Sequence, residues 1–352
     1  MSLLTSTAVL LVFIHAVNSL LSPGAAGQNP VKGVDQFSNF DEIAKKIKQL
    51  KTTWKAKANP NFDYDSNRIQ ALTSLVISEK DYVGMVSITF DDVVRANTDP
   101  FPENFTVAEK WPNCVGSIND VIDQGYCGSC WAVATVSALT DRLCIHTKGV
   151  DKRRLSEQDM LECCTNCGLG CRGGSVVAAH NYAMTQGTST GGSYMAVENC
   201  KPYGFAPCSD VLWRYQPVCF NRNTTLTCRN TCQASYSNPY LSDKIKAKSV
   251  YRVLGGEAVM ISELVNRGPL TVAFMVYQDF MTYTSGVYQQ KTGAYLGGHA
   301  VTVIGYGVED NVKYWLCKNS WGKAWGDRGY FKIRRGTNEV MIESYVVGGA
   351  FI

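Results

Sequence analysis

Cys130, His299, Asn319 and Gln124 are the side chains of this 352-residue chain that together fit nucleophilic catalysis by a thiol. An ordinary thiol is mostly protonated at neutral pH and is a weak nucleophile, so it needs an activating base. A histidine can hold the thiol proton, and an asparagine oxygen can fix the histidine tautomer. A glutamine amide can stabilise a developing oxyanion. The set predicts attack on a carbonyl carbon through a covalent intermediate.

The cysteine that we take as nucleophile lies in Gln124-Gly-Tyr-Cys-Gly-Ser-Cys-Trp131. A helix is predicted after it, with one apolar stripe at helical spacing formed by Val133, Val136, Leu139 and Leu143. Ser129 is a suitable N-cap, which places Cys130 in the first turn. Free N–H groups and the positive dipole end favour a thiolate there. The alternative is that Cys127 and Cys130 form a redox pair or half of a zinc site.

His299 is the histidine best placed to act as the base. It begins a strand-like run after Gly297 and Gly298, which let a substrate backbone approach closely. Asn319 closes the next predicted strand, and Trp321 can shield a His–Asn hydrogen bond from water. A hairpin of these strands brings both side chains to neighbouring strand ends. The other histidines are assigned to the leader, the surface or packing: His15, His146 and His180.

Composition and the N-terminus indicate a secreted globular protein. All fourteen cysteines follow residue 113, which suggests an oxidising compartment. Residues 8–14 form an unbroken apolar run before small residues, which predicts a signal peptide over residues 1–27 that ends between residues 19 and 27. The alternative, a membrane anchor, needs roughly 20 apolar residues, more than this run offers. A net charge of +4 is too weak to argue for nucleic acid or membrane binding.

Residues 28–100, called the N-terminal segment below, are predicted to be helical and extended. Apolar residues at spacings of three and four predict an amphipathic helix over residues 36–54, and a second helix covers residues 66–78. Residues 98–102 contain two prolines within three positions, which makes them an extended, exposed junction suited to cleavage.

Residues 101–352 are predicted to have an α+β fold. Residues 101–249 are mainly helical and rich in cysteine, and residues 250–352 are mainly strands separated by turns. The cysteine cluster of residues 163–171 could be read as a metal site. Disulfides are the better interpretation in a secreted chain.

These motifs resemble those of papain-like cysteine proteases. The stretch around Cys130 is similar to the family signature C-G-[SA]-C-[WY], and Cys130, His299 and Asn319 occur in the family's order. The stretch Gly170-Cys-Arg-Gly-Gly174 resembles the substrate-binding turn, with Arg172 where asparagine is usual. Residues 52–54 and the Cys163-Cys164 pair resemble the matching sequences of the cathepsin B branch of this family. The resemblance implies that residues 101–352, called the peptidase region below, form a helical left domain and a β-barrel-like right domain. It also implies that the N-terminal segment is an inhibitory propeptide.

The resemblance also implies how the cysteines pair. The implied disulfides are Cys114–Cys144, Cys127–Cys171, Cys163–Cys228, Cys164–Cys167, Cys200–Cys232 and Cys208–Cys219. Cys130 stays free as the nucleophile. Cys317 is left over, and we expect it to be a buried strand thiol. Asn104 and Asn223 begin glycosylation sequons.

Substrate-binding residues are likewise implied by resemblance. They are Gly173, Gly174, Gly298, Trp321 and, for the pocket that takes the residue two before the scissile bond, Ser175, Val176, Ala273, Ala300 and Tyr345. Cathepsin B has a glutamate where Tyr345 stands, so we expect bulky apolar or aromatic residues to be preferred over arginine. Glu343 is a competing acid, because on a regular strand it would share a face with Tyr345.

The implied function is that of a secreted or lysosomal cysteine endopeptidase made as a zymogen, with no metal or organic cofactor. The loop between Cys208 and Cys219 has Asp210 and Val211 where cathepsin B has two carboxypeptidase histidines. Implied partners are protein and peptide substrates, the propeptide and cystatin-type inhibitors, with the chain itself a monomer. Two other classes are a non-catalytic or catalytically weak binding protein on this fold and a thiol–disulfide oxidoreductase.

Overall fold

The structure is a computed structural model that describes residues 40–59, 66–92, 100–208 and 226–351. Its α-helices are α1 Phe40–Gln49, α2 Ser66–Leu72, α3 Val107–Lys110, α4 Val115–Ile118, α5 Cys130–His146, α6 Glu157–Cys163, α7 Val176–Thr185, α8 Tyr240–Asp243 and α9 Gly256–Arg267. Its strands are β1 Trp54–Ala56, β2 Ser87–Ile88, β3 Phe105–Thr106, β4 Ser249–Val253, β5 Leu270–Tyr277, β6 Tyr283–Tyr288, β7 Tyr295–Glu309, β8 Val312–Lys318, β9 Tyr330–Arg334 and β10 Tyr345–Ala350. The predicted signal peptide and residues 93–99 lie outside the described residues. None of the described helices combines the length and apolarity that a membrane crossing needs.

One sheet runs through the strand-rich half of the peptidase region. Its order is β1-β6-β9-β8-β7-β5-β10-β4-β2, and β3 pairs with β7 beside this path. Strands β7 and β8 form the predicted antiparallel hairpin, in which Thr302 lies opposite Lys318. Because His299 lies near one end of this pairing and Asn319 directly follows β8, the hairpin brings the two residues together.

The buried side chains of the described residues form two hydrophobic cores. One core lies around the sheet and includes Phe274, Phe280 and Trp315. The other lies around α5 and includes Trp131 and Val136. The N-terminal segment adds side chains to both: Phe40, Ile47, Trp54, Ile69 and Leu72 to the first, and Leu75 and Tyr82 to the second. The segment is therefore packed as part of the folded molecule.

Helix α5 differs from its predicted pattern, because it is buried on every side rather than along one stripe. Its residues from Cys130 to Ile145 are all buried. Strands β5, β7 and β10 and helices α6 and α7 all contact it. A helix enclosed by neighbours needs no polar face. The predicted apolar stripe therefore underestimated how much of the helix surface is buried.

The N-terminal segment contains less helix than its periodicity predicted. Helix α1 ends at Gln49, and Trp54–Ala56 form strand β1, which pairs antiparallel with β6. Helix α2 ends at Leu72, and the chain beyond it runs extended, with Leu75 bridged to Gly298. Pairing with the peptidase region overrides the local helical pattern at both places, as tertiary contacts often do.

Five disulfides join described cysteines in the pairs that the resemblance implied. They are Cys114–Cys144, Cys127–Cys171, Cys163–Cys228, Cys164–Cys167 and Cys200–Cys232. Cys208 is also disulfide-bonded, and its implied partner Cys219 lies outside the described residues. Cys130 and Cys317 are free and buried, and Cys317 lies in the sheet core as expected of a strand thiol.

Candidate active site

Cys130 is the first residue of α5, as predicted, but Ser129 does not cap the helix with its side chain. The Ser129 hydroxyl instead hydrogen-bonds the Tyr203 hydroxyl at 2.6 Å. The Cys130 thiol lies among backbone N–H groups, including its own and that of Ala300, the residue after His299. The structure therefore brings the predicted nucleophile and the predicted base together from opposite halves of the peptidase region.

His299 and Asn319 are hydrogen-bonded. His299 Nε2 donates to Asn319 Oδ1 at 2.8 Å, and Asn319 Oδ1 also accepts from the Ser320 N–H at 2.8 Å. The Trp321 ring lies 4.7 Å from the imidazole, centroid to centroid, and is fully buried. The hydrogen bond to Asn319 fixes the His299 tautomer with its proton on Nε2, so Nδ1 keeps its lone pair and can accept a proton.

Gln124 is fully buried, and its position is set by two hydrogen bonds. Its Nε2 donates to the Cys127 carbonyl at 2.8 Å, and its Oε1 accepts from the Ser320 hydroxyl at 2.7 Å. An amide nitrogen carries two hydrogens, so one remains for another acceptor. Ser320 directly follows Asn319, and so it links the predicted oxyanion donor to the residue that orients the base.

The N-terminal segment lies directly over these residues. Leu75 N donates to the Gly298 carbonyl at 3.1 Å, and Val76 N donates to the Gly174 carbonyl at 3.1 Å. A Cβ on Gly298 would meet the Leu75 carbonyl oxygen at 2.8 Å, so this approach requires glycine. Two of the three predicted substrate-binding glycines, Gly174 and Gly298, therefore contact the backbone of this chain's own N-terminal segment.

The covered thiol and imidazole are both neutral, which differs from the predicted thiolate. Cys130 and His299 have no exposed surface. Burial raises the pKa of the Cys130 thiol to about 12, against the opposing effect of the nearby N–H groups. Burial lowers the pKa of His299 to about 4, against the hydrogen bond to Asn319. Desolvation outweighs the helix-end effect here, because the covering segment excludes water from both groups.

The five predicted pocket residues lie on two elements that face each other. Ser175 caps α7 and Val176 begins it, and Ala273 lies opposite both Ala300 and Tyr345 in the sheet. Val176, Ala273, Ala300 and Tyr345 belong to one buried cluster together with Leu75 and Tyr82. The pocket walls are thus apolar apart from the Ser175 hydroxyl, and side chains of the N-terminal segment pack against them.

Glu343 does not share the face of Tyr345. Strand β10 begins at Tyr345, and the Glu343 carboxylate accepts hydrogen bonds from the Trp315 indole at 2.9 Å and the Gly336 N–H at 2.6 Å. The competing acid is therefore used to hold a turn together and is turned away from the pocket. Arg172, the departure from the family turn, is exposed.

Two acids of the N-terminal segment contact this pocket, and the sequence reasoning missed both. Asp81 accepts a hydrogen bond of 2.6 Å from the Ser175 hydroxyl, and Glu79 forms an ion pair of 3.1 Å with Arg252. Both acids precede Tyr82 in a short 3₁₀ helix, Glu79–Tyr82. Nothing local in the sequence signals such long-range contacts.

One group of described residues has metal-ligating side chains close together, namely Cys200, Cys232 and Asp243. The two sulfurs are already joined as a disulfide, and the Asp243 carboxylate accepts from Thr190 and Tyr236. The sulfur and carboxylate atoms of this group therefore already bond to other atoms of the protein, and the group is not a good candidate for a metal site.

The remaining predicted sites are placed as follows. Asn104 is exposed, and its Oδ1 accepts from the Val308 N–H at 3.0 Å. Asn223, Asp210 and Val211 lie outside the described residues. Asp123 accepts from the N–H of Cys208, the residue at which the Cys208–Cys219 loop begins, at 3.1 Å.

Residues 101–350 match the model of the papain family cysteine proteases. This chain belongs to that family. The cathepsin B-like cysteine proteinase 5 of Caenorhabditis elegans is 43% identical over 270 residues, which are 74% of this chain and 77% of the relative. The cathepsin B-like cysteine proteinase 4 of the same organism is 38% identical over 315 residues, 88% of this chain and 91% of the relative.

Solved proforms of family members have the same fold. Procathepsin B S9 from Trypanosoma congolense superimposes with a TM-score of 0.75 at 34% identity, over 88% of this chain and 97% of the other. The digestive procathepsin L2 of Tenebrio molitor larval midgut gives 0.63 at 25% identity, over 88% of each chain. The chain is thus a cathepsin B-like cysteine peptidase of α+β papain fold, as the resemblance implied.

Proposed function

We propose that this protein is the zymogen of a cysteine endopeptidase and that residues 28–100 are its inhibitory propeptide. The observation that carries this proposal is the complete burial of Cys130 and His299 beneath residues 72–76. A protein substrate cannot reach a thiol that is covered and neutral. The similarity of the N-terminal segment to solved proforms supports the same reading.

Removal of the segment lets the thiol and the imidazole act on a peptide. Cys130 Sγ attacks the scissile carbonyl carbon, and His299 Nδ1 holds the thiol proton and delivers it to the leaving amine. The Gln124 amide and the Cys130 N–H stabilise the oxyanion. Water then cleaves the acyl-enzyme, with His299 again acting as base. Asn319 keeps the imidazole oriented throughout.

The experiment compares full-length and processed protein on a fluorogenic peptide. The processed form should hydrolyse it, the full-length form should not, and Cys130→Ala should abolish the activity of the processed form. Cys317→Ala, a change at the other free thiol, should leave turnover unchanged. Loss of activity in Cys317→Ala with full activity in Cys130→Ala would contradict the proposal.

Endopeptidase activity should dominate over release of C-terminal dipeptides. Asp210 and Val211, which stand where cathepsin B has its two histidines, cannot donate a charge-assisted hydrogen bond to a C-terminal carboxylate. The test uses a peptide with a free C-terminus and its amidated twin. Stepwise dipeptide removal from the free acid only would contradict this part of the proposal.

The secretory pathway is the proposed route, with a lysosomal or extracellular destination. The apolar N-terminus, the disulfides and the sequons at Asn104 and Asn223 support it. Proposed partners are protein substrates, the chain's own propeptide and cystatin-type inhibitors, with the processed enzyme a monomer. A catalytically weak binding protein is the alternative, and the intact set of catalytic side chains speaks against it.

A further inference from the structure

Tyr82 of the N-terminal segment lies between two side chains of the peptidase region. The Arg252 guanidinium lies 4.4 Å from the centre of the Tyr82 ring, and the Tyr345 ring lies 5.8 Å away on a tilted plane. A cation within about 6 Å of an aromatic centroid is attracted to the ring face. Tyr82 is itself buried, so Arg252 and Tyr345 together bind an aromatic ring in this structure.

Arg252 is held at this place by the peptidase region. It lies on β4, where its backbone pairs with Val347 of β10. Its Nη2 donates to the carbonyl of Ser344, the residue before Tyr345, at 3.4 Å. Its charge also acts on Tyr345. Burial raises the pKa of the Tyr345 hydroxyl, and the positive charge of Arg252 partly opposes this rise. The contact with Ser344 and the pairing with β10 lie within the peptidase region, so neither is lost when the N-terminal segment is removed.

Processing removes the two side chains of the N-terminal segment that interact with the Arg252 guanidinium. Within the part of the chain that the structure describes, its ion-pair partner is Glu79, at 3.1 Å from Nη2. Glu79 and Tyr82 both belong to the segment that is cut away. The processed enzyme consequently has a cation without these partners at the edge of a pocket whose other walls are apolar apart from the Ser175 hydroxyl.

We propose that Arg252 is a specificity-determining residue of the processed enzyme. It selects an aromatic side chain at the second position before the scissile bond over an aliphatic one of similar size. The substrate ring takes the place of Tyr82, between the guanidinium and the Tyr345 ring. The same positive charge repels arginine and lysine at this position. This inference rests on the proposed function, because it uses the pocket of the proposed peptidase.

The first test measures kcat/KM of processed enzyme on peptides that differ only by phenylalanine, leucine or arginine at this position. Arg252→Gln should lower the phenylalanine-to-leucine ratio about two- to fivefold, the range of a partly exposed cation–ring contact. It should also raise arginine turnover relative to leucine. Arg153→Gln, which removes a surface arginine paired with Asp151, should leave both ratios unchanged. Unchanged ratios in Arg252→Gln would overturn the inference.

The second test needs no variant and so covers the case in which Arg252→Gln does not fold. Pentafluorophenylalanine has nearly the size of phenylalanine, but its ring face no longer attracts a cation. Wild-type enzyme should cleave the fluorinated peptide about two- to fivefold less efficiently than its phenylalanine twin. Equal or better cleavage overturns the inference alone. Cleavage of none of the peptides overturns the proposed function and the inference with it.

Discussion

The carboxylate of Asp81 accepts a hydrogen bond of 2.6 Å from the hydroxyl of Ser175, which also caps helix α7 through the Ala178 N–H. A hydrogen bond to a charged group contributes about 1.5–3 kcal/mol, and the partial exposure of Asp81 reduces this to roughly 1 kcal/mol. Asp81→Ala in the full-length chain should therefore speed self-processing about fivefold. Asp91→Ala, at an exposed position of the same segment, is the matched control. Equal processing rates in the two variants would exclude an anchoring role for Asp81.

Thiol reactivity should report the covering of the active site. Cys130 is buried, and its pKa is raised to about 12, so the full-length protein should react with iodoacetamide far more slowly than the processed enzyme at pH 7. A raised thiol pKa keeps the proton bound through neutral pH. Labelling of the full-length form should thus stay slow until the pH approaches 12 or the protein unfolds. Mass spectrometry of labelled peptides distinguishes Cys130 from Cys317, and equal rates for Cys130 in both forms would refute latency.

Gln124→Ala should lower kcat of the processed enzyme about 100-fold and change KM little. The loss of one oxyanion donor typically costs a factor of 10² to 10³, because the donor acts mainly on the transition state. Ser320→Ala removes only the 2.7 Å bond that orients Gln124, which keeps its contact with Cys127. It should cost about tenfold or less. A larger loss in Ser320→Ala than in Gln124→Ala would show that the Gln124 amide is not the donor.

His146 should make the folded protein less stable in acid. Its Nε2 donates to the Arg267 carbonyl at 3.0 Å, and its Nδ1 accepts from the Phe351 N–H at 3.1 Å, so both nitrogens are used in the neutral form. Burial lowers its pKa to about 4, below the ordinary 6.5. The unfolded chain therefore binds the extra proton first, and the stability from this group, complete above pH 6.5, is lost as the pH falls towards 4.

The measurement for His146 is the melting temperature between pH 7 and pH 4.5. His146→Gln should flatten this decline, because glutamine keeps hydrogen-bonding groups but does not titrate in this range. His180 and His299 have similarly lowered pKa values and stay in the variant, so a residual decline is expected. An unchanged slope in His146→Gln would contradict the assignment.

Much of the site could be predicted because its residues carry local signals. Cys130 lies between a glycine-rich turn and a helix. His299 follows two glycines and Asn319 follows a strand, so the geometry of a hairpin is enough to bring these two residues together. The family resemblance supplied the disulfide pairs, which spacing alone leaves open. These features depend on residue type and short-range order.

The parts that were missed depend on three-dimensional context. The helix dipole favours a thiolate at Cys130, but the sequence does not indicate that residues 72–76 remove water from it. Glu343 has the strand spacing of a pocket residue, yet strand β10 starts two residues later. Arg252 carries no motif at all, since its contacts lie more than 90 residues away in the sequence.

Strands β1 and β2 form the two outer edges of the sheet, and both belong to the N-terminal segment. Strand β1 and the residues beside it bind the Val287 N–H, and residues around β2 bind the N–H groups of Arg252 and Leu254. Cleavage of the propeptide leaves these main-chain groups facing solvent. Open sheet edges are templates on which another extended chain can assemble. The cleavage that exposes the catalytic thiol therefore also exposes two unpaired sheet edges. Their main-chain groups must then hydrogen-bond to water, to a partner or to a second molecule.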